Sequence, residues 1–183
     1  DLGKLYRAYS ELINSCLPKV NDEDKNTIRL ICYDFLSSKD VVMVGNCLET
    51  LKDSSLQAGN MKAETNQVVQ FEYQNFKLPE DFDIMNQYID FAGEMKIESM
   101  KPALEENLSS SQYEITKRSA DALKKITGKD YSDKIKNKIY NKDFDWEFLK
   151  KIFDNKYAVV NTNKGVIKIE LFPDVTPFTV YNF

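Results

Sequence analysis

Two close pairs of carboxylates, Asp81 with Asp83 and Glu105 with Glu106, are the residues whose type and spacing first suggest acid–base work. Such work needs one protonated and one ionised group, pushed apart in pKa by burial or by a neighbouring charge. Both pairs fall in stretches read below as helical, where exposed surface charge is the plainer reading. Histidine is absent. That excludes Ser-His-Asp and Cys-His catalysis, histidine metal ligation and a histidine pH switch. The cysteines, Cys16, Cys32 and Cys47, are odd in number and form no CxxC. Neither a zinc site nor a closed disulfide framework is therefore expected, and no cofactor is implied. Each cysteine falls on an apolar helical stripe, which predicts three buried, slowly reacting thiols. Arginine occurs only as Arg7, Arg29 and Arg118.

The elements that would position these groups belong to a chain of 183 residues, long enough to bury a core without disulfides or metals. It is 42 % hydrophobic and 30 % charged, as in a folded globular protein. Six glycines and five prolines are too few for a turn-rich all-β fold. No apolar run approaches the ~18 residues of a membrane span. Asp1 is not an initiator methionine, so the start is read as a boundary or a processed end, and the lack of a signal peptide leaves the compartment unknown. A soluble protein of a bacterial cytoplasm or cell envelope is the expectation. The net charge of −4 disfavours nucleic acid as a partner. Residues 61–114 carry 11 acidic and 4 basic side chains, while residues 129–156 have a net charge of +2. This is read either as a solvated acidic face beside a basic linker, or as an acidic surface for a basic client.

Residues 1–128 read as consecutive amphipathic helices. Leu5, Tyr9, Leu12 and Cys16 make one stripe, ended by Pro18. Asn21 caps a helix carrying Ile28, Ile31, Cys32, Phe35 and Leu36. Asp40 caps the next, with Val41, Val44, Leu48 and Leu51. Residues 61–77 fit either period 2 or a helical path through Met61, Thr65, Val69, Tyr73 and Phe76; helix is preferred, because its neighbours are helices. Pro79 suits a first helical turn, followed by Phe82, Met85, Ile89 and Ala92. Ile97, Met100, Leu104 and Leu108 form a further stripe. Ser111 to Glu114 has capping-box spacing and opens a helix with Ile115, Ser119, Ala122 and Ile126 inward, closed by Gly128. The short connections predict antiparallel neighbours.

Leu36-Ser37-Ser38 and Leu108-Ser109-Ser110 are 72 residues apart, and Leu51-Lys52 and Leu123-Lys124 share the offset. Two helical hairpins fill such a period. The stretch resembles HEAT-like repeats, particularly at residues 115–131. That resemblance implies an α-solenoid whose surface binds proteins; a compact helical bundle is the other reading. Residues 129–156 read as a Lys- and Asn-rich linker with a short helix from about Asp145. The sole tryptophan, Trp146, with Leu149 and Phe153, is expected to dock that linker as core.

From Tyr157 the pattern becomes β. Val159 and Val160 precede a turn through Asn161 to Gly165, and Val166, Ile167, Ile169, Leu171 and Phe172 form a second strand. Thr176-Pro177 then opens a helix. A hairpin alone is marginal in water, and this one is apolar on both faces. The missing partner is expected to be further sheet, so the chain is read as a fragment.

The segment NTNKGVIKIELFPDVTPFTVYNF resembles the opening of a cyclophilin-type peptidyl-prolyl cis-trans isomerase. The matching residues include Gly165, Ile167, Ile169, Glu170, Leu171, Phe172, Pro173, Asp174, Pro177, Thr179, Val180, Asn182 and Phe183. With helical repeats upstream, the arrangement is similar to bacterial isomerases bearing a HEAT-like N-terminal region. The resemblance implies a truncated β-barrel over residues 157–183, with Pro173 and Pro177 shaping the strand-to-helix turn and Phe172 and Phe183 in the core. It also implies proline-containing polypeptide clients. The family's catalytic arginine lies in a downstream F-H-R type segment, expected beyond Phe183, so no catalytic residue is assigned here and residues 1–183 are expected to be inactive. The rival reading is a non-enzymatic interaction module whose β tail another chain completes. The tail of residues 157–183 is expected to pack on the helices or to pair with a second copy.

Overall fold

A computed structural model describes residues 2–135, 145–154 and 157–182 of the chain. It is mainly helical, with one antiparallel two-stranded hairpin and a final short helix. Chain contacts divide it into two compact units, residues 1–139 and 140–183.

The first unit contains α1 (Leu2–Cys16), α2 (Asp22–Leu36), α3 (Val41–Leu51), α4 (Met61–Tyr73), α5 (Phe82–Met95), α6 (Lys101–Asn107) and α7 (Tyr113–Thr127). Residues 61–73 are helical, as their neighbours suggested. The Asn21 side chain accepts from the Asp24 N–H, and Asp40 accepts from the Val42 and Met43 N–H groups, so both capping expectations hold. Gly128 closes α7 at φ 75°, a left-handed conformation that glycine adopts without strain. Ser111 does not cap α7. Gln112 takes that position without a side-chain cap, and its N–H is held by Ser110 Oγ. Pro79 lies in a turn ahead of α5 rather than in its first turn.

Helices α1, α3, α5 and α7 pack side by side in one row; α2 contacts α3 and α4 from behind, and α6 contacts α7. Row neighbours run parallel. Ser10 meets Asn46, and further on Leu17 lies beside Thr50. Gly45 meets Gln87 and Lys52 meets Glu94; Asp90 meets Arg118 and Gly93 meets Ala122. Leu36, Leu51, Tyr88, Leu104, Ile115 and Leu123 form the centre of one continuous core, with no exposure at all. Leu51 and Leu123, matched by the 72-residue offset, are thus equally buried.

The inward face of α1 differs from expectation. Ser10, Ile13 and Leu17 are buried, whereas Leu5, Tyr9 and Leu12 are exposed and Cys16 is only half-buried. The reason is polar: Ser10 Oγ accepts from Asn46 Nδ2 at 2.9 Å, which rotates the neighbouring apolar stripe away from α3. Tyr131 packs into this unit's core. The expected linker at residues 136–144 and 155–156 lies outside the described residues.

The second unit contains α8 (Trp146–Asp154), β1 (Tyr157–Thr162), β2 (Gly165–Glu170) and α9 (Pro177–Asn182). Asp145 Oδ1 accepts from the Phe148 N–H and starts α8. Thr162 pairs with Gly165 across the two-residue turn Asn163-Lys164, tighter than the expected five-residue one, and Gly165 sits at φ 135°. Val160 pairs with Ile167 and Ala158 with Ile169. Leu149 and Val180 are buried, and Phe148 meets Tyr181 edge-on at 5.8 Å. One expectation fails here. Trp146 is 62 % exposed and not a core anchor, because α8 turns Leu149 inward instead. Phe172 is exposed, as expected of a hairpin without further sheet, and the adjacent Pro173 is buried. Phe183 lies outside the described residues.

Candidate protein-binding groove

The α3–α5–α7 row leaves an open groove along its outer side. Its position follows from small residues. A Cβ on Gly93 would lie 2.9 Å from Ala122 Cα, so α5 and α7 touch backbone to backbone there. A Cβ on Gly45 would lie 3.0 Å from Gln87 Nε2. Away from the Gly93 contact, a cleft of about 490 Å³ opens between α5 and α7, bordered by Asp90, Glu114, Lys117, Arg118 and Asp121. Asp90 also borders a smaller cleft, about 200 Å³, between α3 and α5, with Lys52, Gln87 and Glu94. The two clefts share Asp90.

Ion pairs crossing the row fix these side chains. Lys52 Nζ lies 2.7 Å from Glu49 and 2.6 Å from Glu94. Arg118 pairs with Asp90 across the helices and with Glu114 at 2.8 Å on its own helix. Partial burial works against the charge of Lys52, but Glu49 and Glu94 outweigh it and raise the ammonium pKa. The same balance raises Arg118 through Asp90 and Glu114. Both cations therefore stay charged, and Lys52 is no nucleophile near neutrality.

The groups singled out for chemistry are dispersed. Glu105, Glu106 and Asp83 are exposed, as surface charges should be. Asp81 departs from that reading: it is buried, accepts the Lys77 N–H at 2.9 Å and pairs with Lys39 Nζ at 2.6 Å. The Lys39 and Lys77 contacts hold its carboxyl below the usual range. Arg7 pairs with Asp40. Arg29 is buried, donating to Glu64 at 2.5 Å, Asn26 at 2.8 Å and Tyr33 at 3.0 Å, and so ties α2 to α4. The thiol of buried Cys32, against Cys47 and out of water, is pushed far up, which makes it inert at neutral pH. Cys47 is also buried. Among the described residues no three His, Cys, Asp or Glu side chains gather as a metal would need. No helix there is long and apolar enough to cross a membrane.

Five of the eleven acidic side chains of residues 61–114 pair with cations from outside that stretch or across its helices. Arg29 engages Glu64, Lys39 engages Asp81, Lys52 engages Glu94, and Arg118 engages Asp90 and Glu114. Along α3, α5 and α7 the surface is therefore of mixed charge, while Asp83, Glu105 and Glu106 stay exposed. Glu94 and Asp90 are residues that sequence reasoning passes over, and Lys52 enters it only through the 72-residue offset. The Glu114/Arg118 spacing of four is the one signal that could have found part of the groove. No family model, curated protein or solved structure matches the chain.

Proposed function

We propose that the helical unit is a HEAT-like repeat scaffold that holds protein partners, and that residues 157–182 are the opening elements of a cyclophilin-type peptidyl-prolyl cis-trans isomerase domain. The observation that carries the scaffold reading is the parallel row of α1, α3, α5 and α7 with further helices stacked behind it. Stacked helix pairs of this kind make extended surfaces for polypeptides. The groove along α3, α5 and α7 is such a surface, with fixed charges of both signs that suit a polar polypeptide.

The isomerase reading rests on the hairpin, the buried Pro173 and the helix begun by Pro177, in the order that the motif requires. An X–Pro bond isomerises over a barrier of ~18–20 kcal/mol. Lowering it takes a dry pocket for the ring and a donor to the prolyl nitrogen. Arg7, Arg29 and Arg118 are committed to carboxylates. The donor and pocket would come from sequence beyond Phe183. A client held by the helices would present its prolines to that pocket at raised effective concentration.

The test measures cis-to-trans conversion in a short X–Pro peptide and in an unfolded protein whose refolding waits on proline. The protein extended through the encoded residues beyond Phe183 should accelerate both, and residues 1–183 neither. Removing the helical unit from the extended protein should spare the peptide rate and slow the protein rate. No acceleration by the extended protein would leave the rival: a non-enzymatic interaction module whose hairpin another chain completes. Among the described residues each strand of the hairpin has one unpaired edge, which an added strand from another chain could fill under that rival.

A further inference from the structure

α3 uses two faces. Gly45, Leu48 and Lys52, at spacings of three and four, look toward α5. Val44, Cys47 and Leu51, one step behind, are sealed from solvent, with Cys47 against Cys32 of α2. α1 and the turn that follows it meet α3 through Ser10, Ile13 and Leu17, again at spacings of three and four. Laying the first triad of α3 on that of α1 puts Tyr9, Leu12 and Cys16 where Val44, Cys47 and Leu51 stand. The apolar character is kept, but the cover is not. Leu12 is 56 % exposed, Tyr9 42 %, and Leu5, one turn earlier, 63 %. Phe35 of α2 reaches only the margin, touching Tyr6 and Tyr9 at centroid distances of 5.9 and 6.2 Å.

We propose that the Leu5, Tyr9, Leu12 and Cys16 stripe is the seat of an amphipathic helix lying antiparallel behind α1, as α2 lies behind α3, and supplied by the same polypeptide ahead of residue 1. The occupant follows from how the pairs are built. α2 precedes α3 through residues 37–40, α4 precedes α5 through residues 74–81, and α6 precedes α7 through residues 108–112. In the α2–α3 pair the partner that closes the second helix comes just before it in the chain. A second copy fits less well. A stable dimer buries roughly 800 Å² per partner, about twice what one face of a helix about 22 Å long presents. A helix tethered by a short connection needs no such area, because the tether supplies its concentration.

Cys16 is the built-in reporter. Its labelling by a thiol reagent is followed in residues 1–183 and in the protein lengthened by the encoded residues preceding residue 1. In the lengthened protein labelling should slow about tenfold, the thiol becoming reachable only through local opening. Leu12→Glu should lower the melting temperature of the lengthened protein and leave that of residues 1–183 unchanged. A synthetic peptide of the same preceding residues, added to residues 1–183, should also protect Cys16, a readout that does not require the lengthened protein to fold. Equal labelling rates in all three settings, or no encoded helix ahead of residue 1, would overturn the proposal. So would a concentration-dependent dimer of residues 1–183 that Leu12→Glu abolishes, which would give the stripe to a second copy.

Discussion

In the helical unit Leu36, Leu51, Tyr88, Leu104 and Leu123 are wholly shielded from solvent, whereas in the hairpin unit Val159, Val166, Ile167, Phe172 and Phe178 stand in it. The residue types are much the same; the difference is how many neighbours each element has. α5 touches α3, α4 and α7, so three of its sides are covered. Among the described residues β1 and β2 pair only with each other. A hairpin of two strands is marginal in water without a further layer on one of its faces. Exposed strands with apolar faces mark a place where further structure docks. The helical unit therefore has a buried core of its own, while the hairpin leaves apolar side chains exposed.

The largest separation between the two units should come from deleting buried side chains in the first. Tyr88 donates to the Leu36 carbonyl at 2.8 Å and packs against Phe76 and Tyr73 at 5.3 and 6.1 Å. Tyr88→Ala removes both the ring and the hydrogen bond and should cost about 3–5 kcal/mol. Leu51→Ala and Leu123→Ala should each cost about 2–5 kcal/mol. Urea unfolding followed by helical signal measures all three. Equal costs at Leu51 and Leu123 sharpen the repeat; no cost at either breaks it.

The helix row offers a finer contrast within the first unit. Gly93→Ala drives a methyl against the backbone of Ala122, which cannot yield without moving α7, so a loss of about 1–3 kcal/mol is expected. Gly45→Ala meets only the end of the Gln87 side chain, which can swing aside. Its loss should be smaller, or a small gain, since alanine favours helix over glycine by up to about 1 kcal/mol. If the two changes cost the same, the close approach of α5 and α7 is not what sets the groove.

Acid should act on the first unit through Asp81. Its carboxyl is held below the usual range by Lys39 and the Lys77 N–H, so its folded pKa lies below its unfolded one. Stability from this group is then present above the unfolded carboxylate range, near pH 4, and lost as pH falls through the folded value. Asp81→Asn should cost roughly 1 kcal/mol at pH 7 and less at pH 2–3. Thermal melts of both forms from pH 2 to 7 read this out. A gap that stays constant with pH would remove the carboxylate as its cause.

Periodicity made the helices legible and, in most of them, the buried face, because Val69, Ile89 and Ile126 are each the apolar member of a clear stripe. It misled at α1, where a buried serine paired with Asn46 defines the inward side and a serine leaves no hydrophobic signal. It misled at Trp146 because size alone does not say which turn of a short helix faces inward. Asp81 looked like surface charge because its partner Lys39 is 42 residues away. The groove was hidden for the same reason: Lys52–Glu94 and Arg118–Asp90 join different helices, and only contact in three dimensions pairs them. The hairpin and its glycine turn were readable from composition, since β-branched residues around Asn and Gly have few other conformations open to them.

The smallest effect is expected in the hairpin unit. Val166 is 68 % exposed and Ile167 51 %, and the two point to opposite faces of β2. Val166→Thr exchanges a methyl for a hydroxyl and Ile167→Thr an ethyl for a hydroxyl; both keep β-branching and act at solvent-facing positions. Each should change the stability of residues 1–183 by no more than about 0.5 kcal/mol. Deleting residues 157–183 should likewise leave the melting of the helical unit in place, because that unit's core contains no residue of the hairpin. The comparison sharpens when the same two substitutions are made in the protein extended beyond Phe183. If further strands cover the hairpin there, Ile167→Thr should become a core change costing about 1–2 kcal/mol, the scale of burying an unpaired hydroxyl. Differential scanning calorimetry of the two lengths, with and without the substitution, gives the four values needed. A cost at Ile167 that is already large in residues 1–183 would mean the hairpin is covered as it stands, and the contrast between the two units would collapse.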